Sequence, residues 1–407
     1  MPASGRRRRL GRQRARTAEG RAKRPGRSAL PFLAALSLLG SLSACGALPA
    51  DSAAPRPGVA RTAAASRPAI HLGPEEAIFA APGANLPGVP VKPYAWPDGG
   101  MGILKSGAVY TFFAANDGNL KRCVGTLDNP GDCGGRESIR IGGLKSALDY
   151  AGGGPVYRDP ATNTLLMIYH GERWKAGSGG RAFYGTLGLA KSSDGGATWA
   201  DLGEIVTPHV PPEAVLERGA LWDAGGGAYL TIDGYFYVYF RDLMRSGEAA
   251  ELAVARARVA DVVEDAIARD RAAPWRKYRD GAWEEPGLGG RSSPLEADNQ
   301  LAAWLGVSYN AYLGRYIMIA FGRPWPATTL YWLESSDGLT WTSRTRLVED
   351  PKQKLYVTLV GLGDDPRVTG RSFYVYYVSS AQAAAGGNRN LDGVLVRRLV
   401  TLGAAGR

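Results

Sequence analysis

Cysteine and histidine are scarce in this chain, with three of each in 407 residues. No two of them stand at zinc-ligand spacing, and His71, His170 and His209 are scattered, so no zinc site is read from the sequence. Helical periodicity is nearly absent apart from a turn around Asp261 to Arg269. The apolar stretch from Ala29 to Leu42 is too short to span a bilayer stably. Excess basic charge is confined to the first 44 residues, which hold 11 of the 49 Lys+Arg and 1 of the 38 Asp+Glu. Beyond them 38 basic side chains face 37 acidic ones, a net of +1, so the overall +11 implies no nucleic-acid partner for the remainder.

What the chain does have begins with its leader. Basic residues from Arg6 to Arg27 precede the apolar stretch, which ends in Leu42-Ser43-Ala44-Cys45-Gly46 and resembles the lipobox of bacterial lipoproteins. The resemblance implies a signal peptide over residues 1–44 and a lipid-anchored Cys45 on the extracytoplasmic side of the cell envelope. Residues 45–69, rich in Ala, Pro, Ser and Arg without apolar period, read as a flexible tether. Residues 70–405 read as one folded domain, expected to be a monomer. Cys123 and Cys133, ten residues apart in a Gly/Asp/Pro-rich loop, are expected to form a disulfide in that compartment.

The domain repeats itself. A glycine-led strand, a tight turn and a strand dense in Tyr, Phe, Ile and Val recur five times. The first copy is Gly99-Gly100-Met101-Gly102-Ile103-Leu104 followed by Val109 to Phe113. The others lead with Gly152 to Tyr157, Gly225 to Leu230, Trp304 to Tyr309 and Tyr356 to Leu362. Five such units predict an all-β, five-bladed β-propeller with the glycine-led strand innermost, where crowding at the axis admits little side chain. A β-sandwich would not repeat its sheets at spacings of roughly fifty to seventy-five residues.

Two further segments, Ser192-Ser193-Asp194-Gly195-Gly196-Ala197-Thr198-Trp199 and the shorter Ser335 to Trp341, resemble the Asp-box of sialidases and other propellers. Their aspartates are expected to cap their own turns and their tryptophans to pack between blades.

Chemistry is expected in the axial funnel, at the start of each innermost strand. Asp98, Asp149, Asp223 and Asp298 stand just ahead of that strand in four of the five units. Glycoside hydrolysis needs one carboxylic acid and one carboxylate, and crowding raises the acid's pKa. The competing reading of each Asp is ordinary turn chemistry. Glu172, in His170-Gly171-Glu172, is a further candidate acid. Tyr94, Trp96, Tyr150, Trp222 and Trp304 suit sugar stacking near the funnel. No cofactor is required, although the carboxylates leave a structural calcium ion open. Asp159, in Arg158-Asp159-Pro160, falls at a turn position by the repeat and reads as a hairpin residue.

Five blades, axial aspartates and these rim motifs together resemble the arabinanase, invertase and levansucrase superfamily of glycosidases. The segments Val254 to Val259 and Trp275 to Trp283 also resemble a bacterial propeller family with arabinan-cleaving members. The resemblance covers about residues 90–400. It implies a carbohydrate substrate, a base or nucleophile at Asp98, a helper at Asp149, and an acid at Glu217 or Asp223. No Glu stands in a matching motif. A sialidase would need a three-arginine clamp, for which Arg218, Arg241 and Arg323 are present, and a non-catalytic glycan-binding or scaffold propeller is the reading from a different class.

Overall fold

The computed structural model describes residues 68–91, 97–116, 119–130, 139–179, 182–244, 250–296, 298, 300–322, 327–381 and 392–404. Cys45, Tyr94, Trp96, Cys133 and Arg323 lie outside them.

The described chain enters through β1 (Ile70–Leu72) and β2 (Glu76–Ala80). The first repeat is β3 (Gly102–Ser106), β4 (Val109–Asn116) and β5 (Asn119–Gly125). The second follows the short β6 (Ile141–Gly142); its inner strand is split into β7 (Tyr150–Gly152) and β8 (Val156–Arg158), with β9 (Leu165–Trp174), β10 (Phe183–Ser192) and β11 (Trp199–Val206) outside. Helix α1 (Pro212–Glu217) and β12 (Trp222–Asp223) lead into the third repeat. That repeat comprises β13 (Gly226–Ile232), β14 (Tyr235–Met244), β15 (Ala250–Arg258), α2 (Val259–Ala268), β16 (Arg276–Arg279) and β17 (Ala282–Pro286). The fourth is β18 (Leu301–Asn310), β19 (Arg315–Gly322), β20 (Thr329–Ser335) and β21 (Thr345–Glu349). The fifth is β22 (Gln353–Gly361), β23 (Val368–Thr369), β24 (Ser372–Ser380) and β25 (Val394–Leu402).

The result is an all-β propeller. Its apolar core is divided into five principal clusters, each lying between neighbouring repeats, including one that joins the fifth to the first. Strand β4 shows how. Tyr110, Phe112 and Ala114 pack toward Tyr376 and Leu395 of the fifth repeat, while Phe113 packs toward Met167 and Trp199 of the second. Successive side chains of a strand point to opposite faces, so a strand covered on both sides carries a continuous apolar run. Phe112 and Phe113 are wholly buried, each stabilising the fold by roughly 1.5–3 kcal/mol. The ends of the domain share one sheet: β1 and β2 both pair with β25, Ile70 opposite Leu402 and Glu76 opposite Arg397.

Hydrogen bonding gathers the five repeats into four sheets, where five separate blades were expected. The cause is β12. Its two residues pair in parallel with Tyr184 and Gly185 of β10 and antiparallel with Leu243 and Met244 of β14, fusing the second and third repeats into one twelve-stranded sheet. The described helices include α1, α2 and a 3-10 turn at Pro82–Ala84, and α2 occupies the segment where a turn was expected.

The glycine-led inner strands crowd the axis as expected, since a Cβ on Gly102 would stand 2.6 Å from Val156 Cγ2 and 2.7 Å from the Gly154 carbonyl. Asp194 accepts from the N–H groups of Ala197 and Thr198, and Trp199 packs edge-on to Phe113 of the first repeat. Asp159 caps its own turn through the Thr162 N–H at 2.9 Å, the hairpin role read from the repeat.

Candidate active site

At one end of the ring, residues from all five repeats touch one another. Asp98 precedes β3, with its N–H donating to the Ala115 carbonyl. Its carboxylate receives two phenols: Tyr150 of β7 donates to Oδ2 at 3.2 Å and Tyr356 of β22 to Oδ1 at 2.9 Å. Burial, followed by the charge of Asp98, holds the Tyr150 phenol well above its ordinary range, so it remains a donor.

The second half of the site grows from β9 and β12. His170 and Glu172 are two residues apart and therefore share a face of β9. His170 Nε2 lies 3.0 Å from Glu172 Oε1 and 3.8 Å from Asp223 Oδ1. Both oxygens flank one nitrogen, so they are no farther apart than about 7 Å. Asp223 Oδ2 in turn faces Arg241 Nε of β14 at 3.5 Å.

Asp223 is only 3% exposed. Burial raises its carboxyl above the ordinary range against the pull of Arg241 and His170, with Glu172 adding to the rise. For His170 burial is the largest influence and acts downward, but Glu172, Asp223 and Asp98 together outweigh it and the imidazole is raised. Protonation is thus favoured on both sides of this contact. Among the described residues His170 Nδ1, Asp223 Oδ1 and Arg241 Nε have no hydrogen-bond partner; unmet buried polar atoms of this kind are what a ligand or water would satisfy.

Trp304 of β18 closes the circle, edge-on to His170 at 5.2 Å and to Tyr356 at 5.4 Å. Glycine makes the approach of these groups feasible. A Cβ on Gly185 would fall 2.3 Å from Asp223 Oδ1, and one on Gly225 would fall 2.8 Å from both that oxygen and Trp304 Cζ2.

The expected site residues are thus sorted by the fold. Asp98, Tyr150, Glu172, Asp223 and Trp304 come together. Asp149 does not join Asp98, because adjacent residues at the start of β7 point to opposite faces and it is Tyr150 that reaches inward. The Asp149 carboxylate is exposed and accepts the Trp174 N–H at 2.7 Å. Glu217 ends α1 with an exposed side chain, its carbonyl accepting Lys175 Nζ at 3.1 Å. Trp222 is buried in packing, donating from Nε1 to Asp242 Oδ1 at 2.7 Å and lying edge-on to His209. Asp298 is exposed and paired with Arg344.

Arg241 is engaged with Asp223, and Arg218 is exposed beyond α1, so these two do not form the start of a carboxylate clamp. Among the described residues no three His, Cys, Asp or Glu side chains are grouped to hold a metal ion. Sequence reasoning missed His170 and Tyr356 as site residues. His170 was legible through its two-residue spacing from Glu172; Tyr356 carried no signal, since it leads the fifth inner strand where the other units carry glycine or tryptophan.

No protein-family model and no curated protein sequence matches the chain. Solved structures resemble it distantly. They include an exo-β-1,3-galactanase from Phanerochaete chrysosporium at 12% identity and a TM-score of 0.45, over 80% of this chain and 63% of that one. The catalytic domain of an α-L-arabinofuranosidase from Coprinopsis cinerea matches at 9% identity and a TM-score of 0.44, over 83% and 98%. An α-L-arabinofuranosidase from Podospora anserina, solved with cellotriose, matches at 10% identity and a TM-score of 0.45, over 80% and 96%.

Proposed function

We propose that the chain is a glycoside hydrolase acting on a poly- or oligosaccharide at this end of the propeller. The observation that carries the reading is the meeting of three carboxyl groups from three repeats, Asp98, Glu172 and Asp223, beside the rings of Tyr150, Trp304 and Tyr356. Asp98, oriented by two phenols, serves as base or nucleophile. Glu172 is the more accessible of the other two and delivers the proton to the leaving oxygen. Asp223 is the more buried of the two, and His170 Nε2, at 3.0 Å from Glu172 Oε1 and 3.8 Å from Asp223 Oδ1, orients the Glu172 carboxyl. The reading includes an extracytoplasmic location through a lipid on Cys45, supported by the leader sequence.

A second reading, glycan binding without turnover, is favoured by one feature: both oxygens of Asp98 already carry donors, as a carboxylate fixed to receive sugar hydroxyls would. A screen of purified protein on arabinans, fructans and other plant or bacterial glycans separates the two. Release of reducing sugar that disappears in Glu172→Gln supports hydrolysis. Binding without release by the wild type supports the second reading.

A further inference from the structure

Strand β9 does not stop at the site. His170, Glu172 and Trp174 occupy one face of it at two-residue intervals. Exposure rises along that face: the side chains of His170 and Glu172 are 8% and 21% exposed, and Trp174 is 44% exposed. A large indole left in water at the outer end of such a row is unusual for a tryptophan, which is highly buried on average. Nor is it loose. Its Nε1–H donates to Glu172 Oε2, and its backbone N–H donates to Asp149 Oδ2 at 2.7 Å. The next residue, Lys175, donates from Nζ to the Glu217 carbonyl of α1, which ties the strand end down.

We propose that Trp174 is a saccharide-stacking platform at the rim of the site, with Asp149 as the residue that positions it. An indole 44% exposed offers flat apolar surface on which the C–H face of a sugar ring packs, while its N–H remains on the carboxylate beside the bond to be cleaved. The ligand class is therefore a neutral pyranose or furanose unit, one sugar outward from Glu172. The inference rests on the reading of the site as carbohydrate-binding and does not require turnover. It also gives the exposed carboxylate of Asp149 a use: its loss frees the Trp174 backbone.

The test is calorimetric titration of the full chain with neutral tri- to hexasaccharides of glucose, galactose, xylose and arabinose. Trp174→Ala is expected to weaken binding roughly tenfold, the scale of one aromatic contact. Trp174→Phe keeps the ring and should stay within about threefold of wild type. Asp149→Ala should fall between them, and Asp149→Asn, whose amide oxygen still accepts the backbone N–H, should restore wild-type affinity; a merely structural Asp149 would lower stability in both without this split. Equal binding by Trp174→Ala and wild type overturns the platform and leaves the hydrolase reading standing. Binding lost in Trp174→Ala in a protein that never turns over glycan keeps the platform and removes the hydrolase. A wild type that binds none of these sugars overturns the platform, while the hydrolase reading is decided by the glycan screen.

Discussion

Tyr356 and Asp98 meet across the junction where the fifth repeat abuts the first: the phenol donates to the carboxylate at 2.9 Å across 258 residues of sequence. Tyr356 does so with a φ of +57°, a left-handed conformation that costs a non-glycine residue roughly 1–3 kcal/mol and that clusters at functional sites. In that conformation its hydroxyl stands on Asp98.

Replacing Tyr356 with Phe should therefore affect function more than folding. The lost hydrogen bond to a charged group costs on the order of 1.5–3 kcal/mol at the site, or at least about tenfold in kcat/KM if it is fully expressed in the transition state. The ring remains against Trp304, so the melting temperature should drop by only a few degrees. Paired kinetics and thermal melts of wild type and Tyr356→Phe check this; a large fall in melting temperature at unchanged rate would assign the contact to stability alone.

The histidine contact sets a pH dependence. His170 is raised in the fold above its ordinary 6.5, so its protonated form contributes stability that is fully present below about pH 6.5 and is lost as pH rises through the folded value. The raised Asp223 acts in the same direction, because it too is favoured with its proton on. In urea unfolding, the stability difference between wild type and His170→Gln should be larger at pH 6 than at pH 9. A difference that widens toward pH 9 would reverse the assignment.

Much of this was legible in the sequence, for reasons that lie in single residues. The repeat of Gly102, Gly152 and Gly226 ahead of aromatic strands carried the propeller, because axial crowding acts on each residue locally. Asp98 and Asp223 were legible by register within that repeat. Asp149 was not, since one step along a strand reverses the side chain and the turn before β7 decides which residue faces inward. The fusion by β12 was also hidden: two residues bridging two sheets leave no periodicity. Tyr356 depends on a backbone angle and a partner from the opposite end of the domain, neither of which local pattern encodes.

The location of the protein is tested at Cys45. If its thiol carries the lipid, wild type will sediment with membranes and Cys45→Ala will be soluble after export. A variant that still sediments removes the anchor.

Cys123 lies buried on β5, and its expected bond to Cys133 would close a short loop worth up to about 3 kcal/mol. Protein exported to an oxidising compartment should resist alkylation at both thiols until reduced, then melt at lower temperature. Alkylation of both without reductant contradicts the bond.

On the proposed function, the carboxyl groups at this end of the ring do chemistry. The most direct measurement is the rate of Asp98→Asn on the glycan identified by screening, set against its melting temperature, with Asp159→Asn as the turn-capping control. Asp98→Asn should lose turnover by two or more orders of magnitude, about 3 kcal/mol or more, with its fold intact, and Asp159→Asn should lose stability of order 1 kcal/mol with its rate retained. Wild-type turnover in Asp98→Asn would contradict the proposed function.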